Sequence, residues 1–479
     1  MNRATHRRRR LALVLAAAAG LLVLVLLLTR GSGDHHLVPG GGNSGDHTDP
    51  VAFDPGKAAD FERRAAAGFS HVLYAKSPGG ATATAQRTAR WRSQVEAAAS
   101  TAKIDPDLLE AIVFVESAGR PDVIAGRDPV AASGLGQILA ETASNLLGMR
   151  VDLRASRSLT RRIARAERGG KRASADRLRA ARRRVDARFD PAKALRGTAR
   201  YLSIARAKFG RDDLAVASYH MGIGNLQNVV HAFGGDSKLS YTQLFFDSTP
   251  LLHAKAYRLL ASFGDDSSTY LWRVLAAREI MRLYRTDPAE LARVQALQER
   301  KNSAEEVLHP LGSTTVFGSP NQIRAARASG DLIGLPRDRA RHHFAIDPQM
   351  GELAKRLGQK PDTYRALRPE ALATLEYLAA GVQTVSGEGP LIVTSTVRDT
   401  RYQAVLGSRN QEATHRYSLH TTGYAFDVLR RYRSHRQALA FDFWLGRLQA
   451  LNLIAWVREP AAIHITASSE AQAMLGSGG

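Results

Sequence analysis

Two separate groups of residues have the types and spacing for chemistry. The first is a single glutamate. Leu109, Ile112, Val113 and Glu116 fall at i, i+3, i+4 and i+7, so Glu116 takes a slot on an apolar helical stripe where a core residue is expected. A carboxylate held there loses hydration, its pKa rises, and it can deliver a proton near neutral pH. The same position suits a glutamate at a helix end paired with Arg120, and spacing alone leaves both readings open. The second group is His420 and Asp427, seven apart across Thr421-Thr422-Gly423, together with His464. Two imidazoles and one carboxylate with a fourth position open are the donors of a catalytic zinc site, although each histidine taken singly is more often structural.

These residues need elements to hold them. Asp105-Pro106 supplies an N-cap and a proline at the first helical position ahead of the Glu116 stripe. In the second group, strand alternation sets Tyr424, Phe426 and Val428 on one face and Ala425 with Asp427 on the other. Ile463 and Ile465 flank His464 in the same way, so His464 points off the apolar face. Residues 61–306 read as helical throughout, whereas 391–397, 424–428 and 462–466 read as strands, which predicts an α+β fold for the last part of the chain.

The chain has 479 residues, 44% of them apolar, which excludes a wholly disordered protein and suits two or three domains. It has no cysteine, so disulfides, thiolate nucleophiles and Cys-ligated zinc are excluded, and any metal must sit on His, Asp or Glu. The net charge of +22 is local: residues 1–10 carry five arginines, and residues 154–188 carry 14 basic and three acidic residues. Residues 11–29 hold no charge and would reach roughly 28 Å as a helix. With arginines immediately before them, they predict a single transmembrane helix with the amino terminus cytoplasmic and the remainder outside. A cleaved signal peptide is the alternative. The resulting map is a basic tail and transmembrane helix over 1–30, a flexible linker over 31–60, a helical domain over 61–306 with an Arg-rich helical insertion at 154–188, a linker over 307–340, and an α+β domain over 341–479. An arginine-rich hairpin outside the cytoplasm suits anionic envelope polymers or lipid head groups, with a plain spacer as the alternative; nucleic acid is not expected, because the stretch lacks interleaved aromatics.

Around the first group, Glu116-Ser117 is followed by Ala132-Ser133-Gly134-Leu135-Gly136-Gln137-Ile138 and then by Ser218-Tyr219-His220-Met221-Gly222. This resembles the soluble lytic transglycosylase family, whose pattern is Glu-Ser, Gly-Ala-x-Gly-Leu-Met-Gln and Ala-Tyr-Asn-Ala-Gly in that order. The resemblance spans about 91–230 and implies a mainly α, lysozyme-like fold. It further implies that Glu116 is the sole catalytic acid, protonating the glycosidic oxygen and then taking the proton of the muramyl 6-hydroxyl to give a 1,6-anhydro product. Ser117, Gln137 and Tyr219 fall on positions that bind substrate or hold the acid. Gly136 stands where the family has Met, which removes an apolar wall of the saccharide groove, and His220-Met221 replaces Asn-Ala.

Around the second group, Ser418-x-His420-x-x-Gly423-x-Ala425-x-Asp427 resembles the zinc D-Ala-D-Ala carboxypeptidases and their peptidoglycan endopeptidase relatives. That resemblance implies Zn(2+) on His420, Asp427 and His464, peptide binding by Arg398, and Glu459 as the base. The family spaces its base and histidine as Glu-x-x-His, whereas Glu459 precedes His464 by five. Together the two resemblances imply a multidomain, membrane-anchored peptidoglycan-remodelling enzyme: a lytic transglycosylase followed by a zinc peptidase-like domain acting on stem peptides, both on the cell-wall side of the membrane. The alternative is a non-catalytic peptidoglycan-binding scaffold.

Overall fold

A computed structural model describes residues 51–235, 238–300, 303–408 and 417–475. The basic tail, the apolar stretch 11–29 and most of the expected linker over 31–60 lie outside the described residues. The single-transmembrane-helix architecture expected above is corrected here: the described chain is mainly helical, and among the described residues no helix is long and apolar enough to cross a membrane.

Helices fill the first two thirds. We label α1 (Ala58–Gly68), α2 (Pro106–Ser117), α3 (Leu153–Arg168), α4 (Arg172–Val185), α5 (Pro191–Phe209), α6 (Asp212–Met221) and α7 (Tyr270–Thr286). α2 begins as its sequence dictates, with the Asp105 side chain accepting from Asp107 N at 2.8 Å and Pro106 at the first position. Leu109, Ile112 and Val113 are fully buried. Packing of α7 against α2 also buries Glu110, which accepts from Arg92 at 3.0 Å and Arg285 at 2.6 Å, so that charge enters the interior only as part of an ion triad.

α3 and α4 pair as the expected arginine-rich hairpin. Two of its arginines depart from a solvated face. Arg182 lies over the Phe189 ring at 3.6 Å and donates to Asp122 at 2.9 Å. Arg188, at the foot of the hairpin, is fully buried, pairs with the equally buried Asp186 at 2.8 Å, and donates to the carbonyls of Pro129, Ala131 and Ile138.

The last third is α+β. Its main sheet has five strands, β1 (Phe344–Ile346), β2 (Leu391–Ser395), β3 (Ala425–Leu429), β4 (Ile454–Arg458) and β5 (Ala462–Ala467), in the order β1-β2-β3-β5-β4, beside a short antiparallel pair of Ile333–Gly334 with Ala366–Leu367. β1 and β2 run parallel and the other neighbours antiparallel. α8 (Pro369–Ser386) and α9 (His435–Ala450) pack together beside the sheet. The register of β3 against β5 sets Asp427 directly opposite His464. Phe426, Val428, Ile463 and Ile465 enter the core, as alternation predicts.

One hydrophobic cluster runs through both parts. α1 packs on α9, and Arg447 of α9 donates to the carbonyls of Phe246 at 2.8 Å, Ser248 at 3.0 Å and Phe245 at 3.2 Å. The stretch expected as a linker is stitched to the sheet: His309 stacks on Tyr424 with ring centroids 3.7 Å apart, and Phe317 N donates to Thr421 O at 2.8 Å.

Candidate active site

Glu116 ends α2, and the neighbouring elements bring an aromatic wall to its carboxyl group. Tyr270, the first residue of α7, donates its hydroxyl to Glu116 Oε1 at 2.6 Å. Tyr219 stacks near Tyr270 at 6.2 Å, and His220 stacks on Tyr270 at 5.3 Å. Burial raises the Glu116 pKa to about 7, against the opposing pull of the Tyr270 hydrogen bond and the Arg273 charge. The Tyr270 phenol is held well above its usual range by burial and by Glu116 itself, so it remains a donor. The arrangement is one carboxyl group that is protonated near neutral pH, with a fixed donor ready to stabilise the carboxylate it leaves behind.

Tyr219 is placed by α6 and donates to Gly136 O at 2.6 Å, while its oxygen lies 3.1 Å from Thr198 Oγ1 of α5. This explains Gly136. A Cβ there would stand 2.1 Å from Thr198 Oγ1 and 2.9 Å from Tyr219 Oη, so the space expected as an open groove wall is filled by these two hydroxyls. Gly134 has φ +80°, and a Cβ would lie 1.8 Å from the Arg188 carbonyl oxygen. The loop is therefore pressed against the foot of the arginine hairpin, where the Arg188 guanidinium also ties down its carbonyls. Gln137, at φ 45°, donates from Nε2 to Gly134 O at 2.8 Å and Val123 O at 3.2 Å, so its amide nitrogen braces its own loop. Ser117 is buried and back-bonds to Val113 O at 3.1 Å within α2. His220 bonds Ser267 Oγ at 2.9 Å. Tyr270 escaped the sequence reading because it lies 154 residues from Glu116 and outside the motifs that frame it.

The family model of the transglycosylase SLT domain matches residues 93–160 and 170–241. That stretch of the chain is similar to the SLT domain. The similarity points to a lytic transglycosylase with peptidoglycan as the substrate class, and the region matched contains Glu116, Gln137 and Tyr219. No curated protein shows significant similarity to the chain.

At the sheet, Asp427 of β3, His464 of β5 and His420 of the 3-10 turn before β3 each offer a ligand atom, all within 4.8 Å of one another. The outer nitrogens are already committed: His420 Nδ1 bonds Thr396 O at 2.8 Å, and His464 Nε2 faces Glu305 Oε1 at 3.0 Å. The inner atoms converge, with His420 Nε2 3.2 Å from Asp427 Oδ2 and His464 Nδ1 2.8 Å from Asp427 Oδ1. Burial lowers His420 to about 4, keeping it neutral. Burial alone would raise Asp427, but the two imidazoles hold it well below the usual carboxylate range. Burial alone would lower His464, but Glu305 and Asp427 hold its pKa well above the usual range, so that it carries a proton between the two carboxylates. One neutral imidazole, a second that can give up its proton, and an ionised carboxylate converge from three sides, a donor set that fits a divalent metal.

Glu305 is a further residue the sequence reading missed. It is buried, is held by Ser303 Oγ at 2.8 Å and Thr466 Oγ1 at 3.1 Å, and comes from the chain just before the expected linker. Arg398 donates to Ser395 Oγ at 2.7 Å, Gln403 Oε1 at 3.1 Å and Asp427 Oδ2 at 3.4 Å. Glu459 sits at the β4–β5 turn, where Glu459 N donates to Ala462 O at 3.0 Å. Burial and the neighbouring Asp427 charge raise its pKa. Among the described residues its carboxyl group has no hydrogen-bond partner, which leaves it available beside the cluster.

Proposed function

We propose that the protein cleaves the glycan strands of peptidoglycan by a non-hydrolytic route centred on Glu116. The protonated carboxyl gives its proton to the oxygen bridging the muramyl residue to the next sugar, and the C1–O bond breaks. The resulting carboxylate takes the proton of the muramyl 6-hydroxyl, whose oxygen bonds C1 to close a 1,6-anhydro ring. No water is consumed and Glu116 ends protonated, so one carboxyl suffices where a hydrolase needs two. Tyr270 steadies the transient carboxylate, and Tyr219 and Gln137 hold the loop that borders it. The observation that carries this reading is the lone, desolvated Glu116 under a tyrosine donor within the matched SLT region. The reading puts the protein outside the cytoplasm, where its polymer lies.

A second reading concerns the sheet. His420, Asp427 and His464 would hold Zn(2+), with Glu305 orienting His464 from its outer side. Bound zinc would acidify a water and polarise a peptide carbonyl. Arg398 would bind a carboxylate of the stem peptide, and Glu459 would hold the proton taken from the attacking water.

Both readings meet in one experiment: purified protein is incubated with sacculi, and the soluble muropeptides are analysed by mass spectrometry beside metal analysis of the protein. The expected result is anhydro-muropeptides from the wild type that vanish in Glu116→Gln and persist in His420→Ala, with zinc retained by the wild type and lost in His420→Ala. Sacculus binding without soluble products would overturn the enzyme reading in favour of a wall-binding scaffold. Equal zinc in the wild type and His420→Ala, or none in either, would overturn the metal site.

A further inference from the structure

α5 separates two different environments. One face carries Thr198, bonded to Tyr219 beside the catalytic carboxyl. Lys193, Arg196 and Arg200 lie at i, i+3 and i+7, roughly opposite Thr198 at about 100° per residue. That opposite face lines a cavity of about 680 Å³ to which the hairpin foot and the segment before α3 add Arg150, Arg183 and Arg184. Six cations thus border one cavity, and no carboxylate does. Arg183 has a long contact to Asp122 at 3.8 Å, and Arg200 donates to Leu147 O at 3.2 Å. Among the described residues Arg150, Arg184, Lys193 and Arg196 have no ion pair.

Such convergence leaves positive charge uncompensated on one concave surface. Lys193 stands in the first turn of α5, where the helix dipole disfavours a cation. On the rest of the hairpin some arginines are matched, as with Arg157 on Asp128 at 2.8 Å and Arg179 on Asp176 at 2.6 Å, and others, such as Arg161, Arg162 and Arg172, stand exposed with no ion pair among the described residues. The cavity differs in gathering six cations on one concave surface without a carboxylate. Guanidinium groups suit phosphate oxygens, which they can meet in a bidentate fashion.

We propose that this cavity is a binding site for a phosphodiester polymer without bases, of the polyol-phosphate type, lying on the far side of α5 from Glu116. The lining contains no aromatic side chain, so it offers no platform on which nucleobases could stack. Its apolar lining is limited to small or flexible groups such as Ala98, Leu147 and Met149, which suits a narrow, flexible chain. A site there would hold the protein on an anionic envelope polymer while the opposite face of the same helix serves the glycan groove.

The test uses the full protein and fluorescently labelled poly(glycerol phosphate), with affinity read by anisotropy across a salt series. The variant Arg184→Ala/Lys193→Ala/Arg196→Ala removes three unpaired, exposed cations of the cavity. Arg161→Ala/Arg162→Ala/Arg172→Ala removes the same charge from exposed positions elsewhere on the hairpin. The cavity variant is expected to bind about tenfold or more weakly with a flatter salt dependence, and the control to stay within about twofold of wild type. Circular dichroism and melting temperature verify that both variants fold. Equal weakening in the two variants would reduce the effect to diffuse basicity and overturn the site. Tighter binding of oligothymidylate of matched charge, or no binding of the polyol phosphate by wild type, would overturn it as well.

Discussion

Glu116 keeps its proton to about pH 7 because burial outweighs the hydrogen bond from Tyr270 and the charge of Arg273. Its folded pKa lies above the ordinary 4.5, so the folded state binds this proton more tightly than the unfolded chain. Its favourable contribution is complete below about pH 4.5 and is lost as pH rises through about 7. Glu116→Gln is therefore expected to be more stable than wild type at about pH 8 by up to about 3 kcal/mol, with the difference vanishing near pH 4. Urea unfolding at both pH values measures this. Glycan cleavage needs the protonated form first, so its rate is expected to fall as pH rises through about 7. Tyr270→Phe removes a bond that lowers the pKa, and it is expected to move this limb upward while reducing the maximal rate, which a pH–rate profile of anhydro-product release checks. The glutamate could be found in the sequence because an acid on an apolar stripe violates helical periodicity. Tyr270 could not: a tyrosine at the start of a long amphipathic helix has the same pattern whether it fills core or reaches an active site.

At the scale of elements, the loop from Pro129 to Ile138 shows how the site is built. Leu135 and Ile138 anchor it in the core, and its backbone is held from outside: Arg188 satisfies three of its carbonyls, and Tyr219 satisfies a fourth at Gly136. Gly136→Ala is expected to destabilise the protein by about 1–3 kcal/mol, since the new methyl meets two hydroxyls that cannot both retreat. Adding Thr198→Ala should recover part of that loss, and thermal melts of the single and double variants read it. The glycine's departure from the family pattern was visible in the sequence, but its reason was not, because it depends on a threonine 62 residues later whose hydroxyl faces it. The two strands carrying Asp427 and His464 were legible from alternation, and the seven-residue spacing of His420 and Asp427 was legible directly. Arg188 hid within an arginine-rich run that reads as solvent-facing; only burial of Asp186 beside it distinguishes it from its neighbours.

At the scale of the whole molecule, composition marks a change from helical to α+β sequence near residue 310, yet the apolar core passes across that change without interruption. Arg447 and the packing of α1 on α9 bind the two parts, so calorimetry is expected to show one cooperative transition. Arg447→Ala should lower its midpoint without splitting it, whereas two separable transitions would mean the shared core is not energetically continuous. The continuity was not legible, because hydrophobic pattern reports which residues are buried and not against which partner. Glu305 gives it a practical meaning. A protease site or an expression boundary chosen at residue 307, where the sequence suggests a linker, would cut the chain two residues after the carboxylate that holds His464. The severed sheet would keep all three inner donors and lose the brace on one of them, so a fragment that fails to retain metal would be reporting the position of the cut.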